Sequence, residues 1–176
     1  MNTLETIYSR KTICSFNGKS INKTQLKEIL KSAYAAPVGR AMYDTLSLSV
    51  ITNKDVLGKW EKAMADMVSN PDLHPFYGAP TVILVSSAAN GALNNVNYSN
   101  AATLVQNMAL AATELGVGAC HIWGAIAALG GNKDLTKELG VADGFIPCCA
   151  IALGVFDGKY ELREIPANRI KTEYIK

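Results

Sequence analysis

The sequence predicts one domain in which helices pack against buried strands, and three observations carry that expectation. Its 176 residues suffice for a core without disulfides or a metal. The stretch Tyr98–Ala125, YSNAATLVQNMALAATELGVGACHIWGA, holds the longest apolar periodicity in the chain and empties into a glycine-bounded strand. Two continuous apolar runs, Pro80–Ser86 and Pro147–Val155, read as further strands, the first of them fully buried.

In chain order, Thr3 is expected to cap a short first helix carrying Leu4 and Ile7, which breaks at Ser9-Arg10-Lys11-Thr12. Two cations and two hydroxyls then stand together, as a solvated turn or as an anion site. After the turn Asn17-Gly18, Asn22 caps a second helix whose Leu26, Ile29, Leu30 and Ala33 face a core, and Pro37 marks its stop beyond Ala35-Ala36. A loop over 38–44 leads to a half-buried strand in which Leu46, Leu48 and Val50 alternate with Ser47 and Ser49. Asn53 starts a third helix, with Val56, Leu57, Trp60, Met64 and Met67 at helical spacing as core packing.

Ser69–Pro75 is turn-rich and makes His74 a loop residue; residues 88–97 form a polar loop. In the central helix Ala101, Leu104, Val105, Met108, Ala112 and Leu115 recur at helical spacing. Ser99 or Asn100 caps its start, and a left-handed Gly116 ends it. Gly118–Trp123 is a short buried strand, closed by Gly124, where a bare backbone lets something approach closely. Lys133–Leu139 is a short helix capped by Gly140. The tail over 159–176 either frays or lies across another surface.

Composition narrows the function classes. A net charge of +2, from 17 basic and 15 acidic residues without a basic run, implies no nucleic-acid partner. Met1–Arg10 lacks the apolar core of a signal peptide, and Asn100, Gln106, Asn107 and Glu114 interrupt the long helix, so a cytoplasmic protein without membrane association is expected. Cys14, Cys120, Cys148 and Cys149 show no CxxC spacing, and neighbours 148 and 149 on a strand would point to opposite faces. With only His74 and His121 beside them no metal site is expected; three of these cysteines read as small core residues, and Cys14 stands apart. Neither GxxxxGK[ST] nor GxGxxG is present, which removes the P-loop and Rossmann readings.

What remains is a set of separated segments: Ile7–Phe16 as I-x-x-R-K-T-I-x-x-F, Ala35–Pro37 as A-A-P, Tyr77–Val85 as YGAPTVILV, Gln106–Gly118 as Q-N-x-x-L-A-A-x-E-L-G-x-G, and Ile151–Gly154 as I-A-L-G. In order and spacing they resemble the flavin-dependent nitroreductase family over essentially the whole chain. The resemblance implies a single α+β domain over 1–176, with a three-layer fold in which a central, mostly antiparallel sheet lies between helices. It also implies an intertwined homodimer with FMN at the interface and the tail embracing the partner.

Matched residue by residue, Arg10, Lys11 and Thr12 fall on the family's phosphate- and pyrimidine-binding R-R-S, and Arg169 is similar to its late phosphate-binding cation. Pro37, Val38 and Gly39 fall on the loop contributed by the other subunit, while His121, Ile122, Trp123 and Gly124 fall on the strand end beside the flavin ring, with the Gly124 N–H near N5. The expected activity is ping-pong reduction of nitroaromatic, quinone or related electron-poor small molecules by NADH or NADPH, borne by the flavin without a catalytic side chain. Two positions depart from the family pattern: Cys14 stands where another Lys or Arg is usual, and residues 37–44 read PVGRAMYD where P-S-x-x-N-x-Q-P is usual. The rival readings are a flavin store or redox sensor that uses Cys14, and a dimer that keeps the fold without the cofactor.

Overall fold

The structure, a computed structural model, describes residues 1–89 and 94–176. Helix α1 spans Thr3–Ser9 and α2 Lys23–Tyr34; two short 3₁₀ turns, Gly39–Ala41 and Tyr43–Thr45, lead into β1, Leu46–Ile51. Helix α3 covers Lys54–Met67, β2 Thr81–Ala88, α4 Asn94–Glu114 and β3 Gly118–Ile122. A 3₁₀ turn over Gly124–Leu129 precedes α5, Lys133–Glu138, and β4, Phe145–Gly154.

The four strands form one sheet in the order β1-β2-β4-β3, with every neighbouring pair antiparallel. Both faces of its centre are apolar, as the continuous hydrophobic runs of β2 and β4 require of strands covered on two sides. Ile83, Val85, Ile151 and Leu153 pack under α2 and α4, while Val82, Leu84, Ala150 and Ala152 face α3 and the segment 124–141. The alternation is the period of two of a pleated strand, and it produces three layers. Trp60 anchors the second face, fully buried, with its indole N–H donating to the Ala125 carbonyl at 2.8 Å.

Local chemistry explains most boundaries. Asn22 accepts from the Gln25 N–H and Gln25 answers to the Asn22 N–H, a reciprocal cap that fixes the start of α2. Asn53 accepts from two amides at the start of α3, and Gly116, at φ +68°, ends the turn after α4.

Four expectations are corrected. Asn2, not Thr3, caps α1, and Leu4 and Ile7 are exposed because the inward face carries Thr6 and Ser9. Helix α4 begins at Asn94, so Ser99 and Asn100 lie inside it and residues 94–97 are helical; of the expected polar loop, residues 90–93 lie outside the described residues. Polar side chains are tolerated in these turns because they find partners: Asn97 donates to the Ala88 carbonyl at 2.9 Å and Ser99 to the Asn95 carbonyl at 2.8 Å. Cys148 and Cys149 both join the core under α4. The register shifts there, Val85 facing Cys149 and Ser86 facing Pro147, so Cys148 is an extra residue that breaks the alternation. Finally, Met67 and Leu115 are exposed, Met67 as the last residue of α3 and Leu115 one residue past the end of α4.

Candidate functional site at the edge of β3

Strand β3 is an edge strand, and the segment after α1 is laid along it. Arg10 closes α1, its N–H donating to the Thr6 carbonyl at 2.9 Å, and the chain then runs extended to Phe16. Buried Ile13 donates its N–H to the Ala119 carbonyl at 3.0 Å, Phe16 to the Tyr77 carbonyl at 3.2 Å, and Asn17 to the Val155 carbonyl at 3.0 Å. Two paired glycines admit the Phe16 ring. Gly118 faces Gly154 across β3 and β4, and a Cβ on either would come within 3.0 Å of that ring. The glycines therefore let an aromatic anchor seat the segment, and Arg10, Lys11 and Thr12 are carried to the sheet edge beside it.

Their surroundings are those of an anion-accepting site. Arg10 is half-buried, Lys11 and Thr12 are exposed, and among the described residues neither cation makes an ion pair. His121, on β3, is half-buried, and its Nε2 is buried without a hydrogen-bond partner among the described residues. Burial first, and the Arg10 charge second, hold its pKa below the ordinary value, so the imidazole is neutral near pH 7. Tyr160 donates to the Val117 carbonyl at 2.9 Å and brings the start of the tail to the same edge; burial pushes its phenol pKa up. Past buried Ile122 and exposed Trp123, the Gly124 backbone is open: the nearest atom to a Cβ there would be the Met64 methyl at 3.9 Å.

The structure thus brings Arg10, Lys11, Thr12 and Cys14 to the strand that carries His121, Ile122, Trp123 and Gly124. It does not bring Pro37, Val38 and Gly39 there within one chain. Gly39 donates its N–H to the Asn100 side chain at 3.0 Å and the Pro37 carbonyl accepts from Thr103 at 3.0 Å, both in the first half of α4. Thr6 of α1 instead binds Glu114 at the far end, at 2.7 Å. The stretch of α4 between Asn100 and Glu114 spans ~21 Å at the helical rise. A cleft of about 480 Å³, lined by Tyr34, Tyr43, Leu46, Leu48 and Leu104 among others, also lies on the α2–β1 side away from the β3 edge. Arg169 stands in the exposed tail, its N–H bonded to the Pro166 carbonyl at 3.3 Å.

Three contributors escape a reading of the sequence. Phe16 docks the segment, Tyr160 pins the tail, and Tyr77, in a left-handed backbone at φ +55°, accepts the Phe16 N–H at its carbonyl at 3.2 Å. Phe16 closes the I-x-x-R-K-T-I-x-x-F run and Tyr77 opens the YGAP run, but neither run tells what its aromatic residue does, and nothing marks Tyr160. Among the described residues there is no group of three or more His, Cys, Asp or Glu side chains able to hold a metal ion, and no helix long and apolar enough to cross a membrane.

Comparison with known proteins gives one concordant picture. The model of the Nitroreductase family matches residues 7–155. Among solved structures, an FMN-bound nitroreductase from Bacteroides fragilis superposes with a TM-score of 0.82 at 24% identity, covering 99% of this chain and 100% of its own. An FMN-bound nitroreductase from Desulfitobacterium hafniense gives 0.83 at 23%, covering 99% and 100%. A putative NADH dehydrogenase/NAD(P)H nitroreductase from Parabacteroides distasonis gives 0.74 at 20%, covering 99% of each. No curated protein matches the sequence.

Proposed function

The chain belongs to the nitroreductase family, and from that premise we propose that it is an FMN-dependent oxidoreductase using NADH or NADPH to reduce nitroaromatic, quinone or related electron-poor small molecules. The observation that carries the reading is the β3 edge: two cations without ion-pair partners among the described residues, beside a neutral histidine with an unsatisfied buried nitrogen and an open glycine backbone. That donor set fits an FMN, which offers a phosphate, a polar pyrimidine edge and a flat ring.

Arg10, Lys11 and Thr12 would hold the phosphate and pyrimidine side, with Arg169 as a further phosphate cation and Cys14 close to the same segment. Pro37, Val38 and Gly39 of a second copy would close the pocket of an intertwined homodimer. Bound FMN supplies hydride transfer between nicotinamide and acceptor. The protein's part is electrostatic and positional. Arg10 and Lys11 favour negative charge on the pyrimidine side, His121, neutral near pH 7, adds no charge of its own, and the Gly124 N–H is free to donate without a side chain in the way. No acid or base side chain is required of this chain. We place the protein in the cytoplasm.

The test is the absorbance spectrum of the purified protein before and after anaerobic NADH and NADPH. Non-covalent flavin absorbance, bleached by one of the nucleotides and released as FMN by acid, is the expected result. A colourless protein that takes up no added FMN, or one that releases FAD, contradicts the assignment. A flavin that neither nucleotide bleaches makes the protein a store.

A further inference from the structure

Arg40 and Ala41 both stand in the left-handed region, at φ +57° and +53°, where a side chain other than glycine is strained. Two such residues in a row persist only where their surroundings fix them. Here the Gly39 N–H donates to Asn100 Oδ1 at 3.0 Å and the Ala41 N–H to the Val38 carbonyl at 2.9 Å, while the Tyr43 hydroxyl donates to the Ala36 carbonyl at 3.2 Å and the Thr45 hydroxyl to the Met42 carbonyl at 2.7 Å. The braced turn puts Arg40 on the wall of a cavity of about 290 Å³ that it shares with the first turns of α4. Met42 and Val96 give that cavity an apolar side, Asn97, Asn100 and Thr45 a polar one, and no acidic side chain lines it. Asn100 uses its Oδ1 on Gly39, which turns its amide so that Nδ2 is the group left to donate. Arg40 is exposed and makes no ion pair among the described residues. A guanidinium fork, an amide donor and an apolar wall in one space of that size suit a flat, one-ring molecule that carries a carboxylate.

We propose that this cavity is an acceptor subsite for aromatic carboxylates, and that Arg40 is the specificity-determining residue that makes the protein prefer acidic acceptors to neutral ones of the same shape. The assignment of the bound molecule as an acceptor rests on the flavin reading above: Pro37, Val38 and Gly39 are the residues that would close the flavin pocket of a second copy, and Arg40 is the next in the chain. The binding of the anion rests only on the cavity and its donors. The reduction itself is unaltered, since Arg40 and Asn100 hold the carboxylate and not the electron-poor group. Such a grip is the same before and during the chemical step, so it lowers KM and leaves kcat where it was. The strain at Arg40 and Ala41 then has a use, because it aims a cation into the cavity from a turn too tightly bonded to swing away.

The test separates the subsite from the flavin. The purified full chain is titrated by isothermal calorimetry with para-nitrobenzoate and with para-nitrobenzyl alcohol, which keeps the ring and loses the charge. The variant is Arg40→Gly, because a left-handed position accepts glycine without strain. Wild-type protein should bind the carboxylate at least about tenfold more tightly than the alcohol, the factor a charge-assisted hydrogen bond supplies, and the variant should bind the two alike. In steady-state reduction with NADH and with NADPH, the variant should keep its flavin and its rate on the alcohol while its KM for para-nitrobenzoate rises by the same factor. Equal affinity for the two probes in the wild type, or a carboxylate preference that survives in Arg40→Gly, overturns the proposal. So does a variant whose KM rises for NADPH alone, since the charge recognised is then the extra ribose phosphate of the nucleotide. A colourless protein that discriminates the two probes through Arg40 contradicts the flavin reading and supports the anion site; a yellow, active one that does not discriminate them does the reverse.

Discussion

Arg10 is the residue on which the site turns, because it both closes α1 and sets the charge felt by its neighbours. Arg10→Ala is expected to weaken FMN binding by about 1.5–3 kcal/mol through lost charge-assisted hydrogen bonds, read by flavin fluorescence titration. The same substitution removes the second cause of the lowered His121 pKa, so the His121 proton resonances should titrate at higher pH in the variant than in the wild type. An unmoved titration would place the two side chains out of electrical range.

His121 also gives stability a pH dependence whose sign follows from the direction of its shift. The unfolded imidazole takes up its proton near pH 6.5, above the lowered folded value. Its contribution is fully present above that pH and is lost as pH falls toward the folded pKa. His121→Gln should therefore flatten the fall in Tm on acidification below about pH 6.5; an unchanged slope contradicts the burial of a neutral ring. At this scale the sequence displayed Arg10, Lys11 and Thr12 plainly, since cations and hydroxyls cluster there. It hid the backbone contacts of Ile13 with Ala119 and of Phe16 with Tyr77, which exist only once β3 and the 10–16 segment are side by side.

Among the elements, β3 with its docked segment is the joint that most needs its particular residues. A methyl at Gly154 would meet Pro80 Cδ at 2.8 Å and the Phe16 ring at 3.0 Å, on the central strand β4 where the backbone has little room to yield. Gly154→Ala should cost about 1–3 kcal/mol by overpacking, seen as a lower urea midpoint, and should loosen the Arg10 segment with it. An unaltered midpoint would mean that Phe16 does not seat on the sheet. Elements with local signals were legible: Asn22 and Asn53 announce α2 and α3, Gly116 the end of α4, and the apolar runs β2 and β4. The start of α4 was not, because Asn97 and Ser99 look like loop residues until their carbonyl partners are in place. Nor was the bulge at Cys148, which arises from the register of β2 against β4 and leaves no mark in composition.

At the scale of the molecule, one chain holds apart the segments that the proposed site would need together. The Arg10–Thr12 and His121–Gly124 segments meet at β3, while Pro37–Gly39 is held on the first half of α4. Past Tyr160 and Arg163, whose Nε donates to the Tyr8 carbonyl at 3.0 Å, the tail leaves Ile170, Tyr174 and Ile175 almost wholly exposed. Such an apolar strap is expected to lie on a second copy of the chain. Truncation after Arg163 should accordingly convert a dimer into a monomer on size-exclusion chromatography with light scattering, and flavin should be lost with it. A truncated chain that remains a flavin-loaded dimer would remove the tail from the interface.

The central claim, a flavin site completed by two copies, is tested most directly by pairing two lesions. Arg10→Ala and Gly39→Asp homodimers should each be nearly devoid of flavin and of NAD(P)H-dependent reduction, since every site has one damaged wall. In a differently tagged, co-expressed and isolated heterodimer both lesions fall in one site and the other is whole, so about half of the wild-type flavin and activity should return. A heterodimer as empty and inactive as both parents, with wild-type circular dichroism, would contradict the account, because each pocket would then be built within one chain.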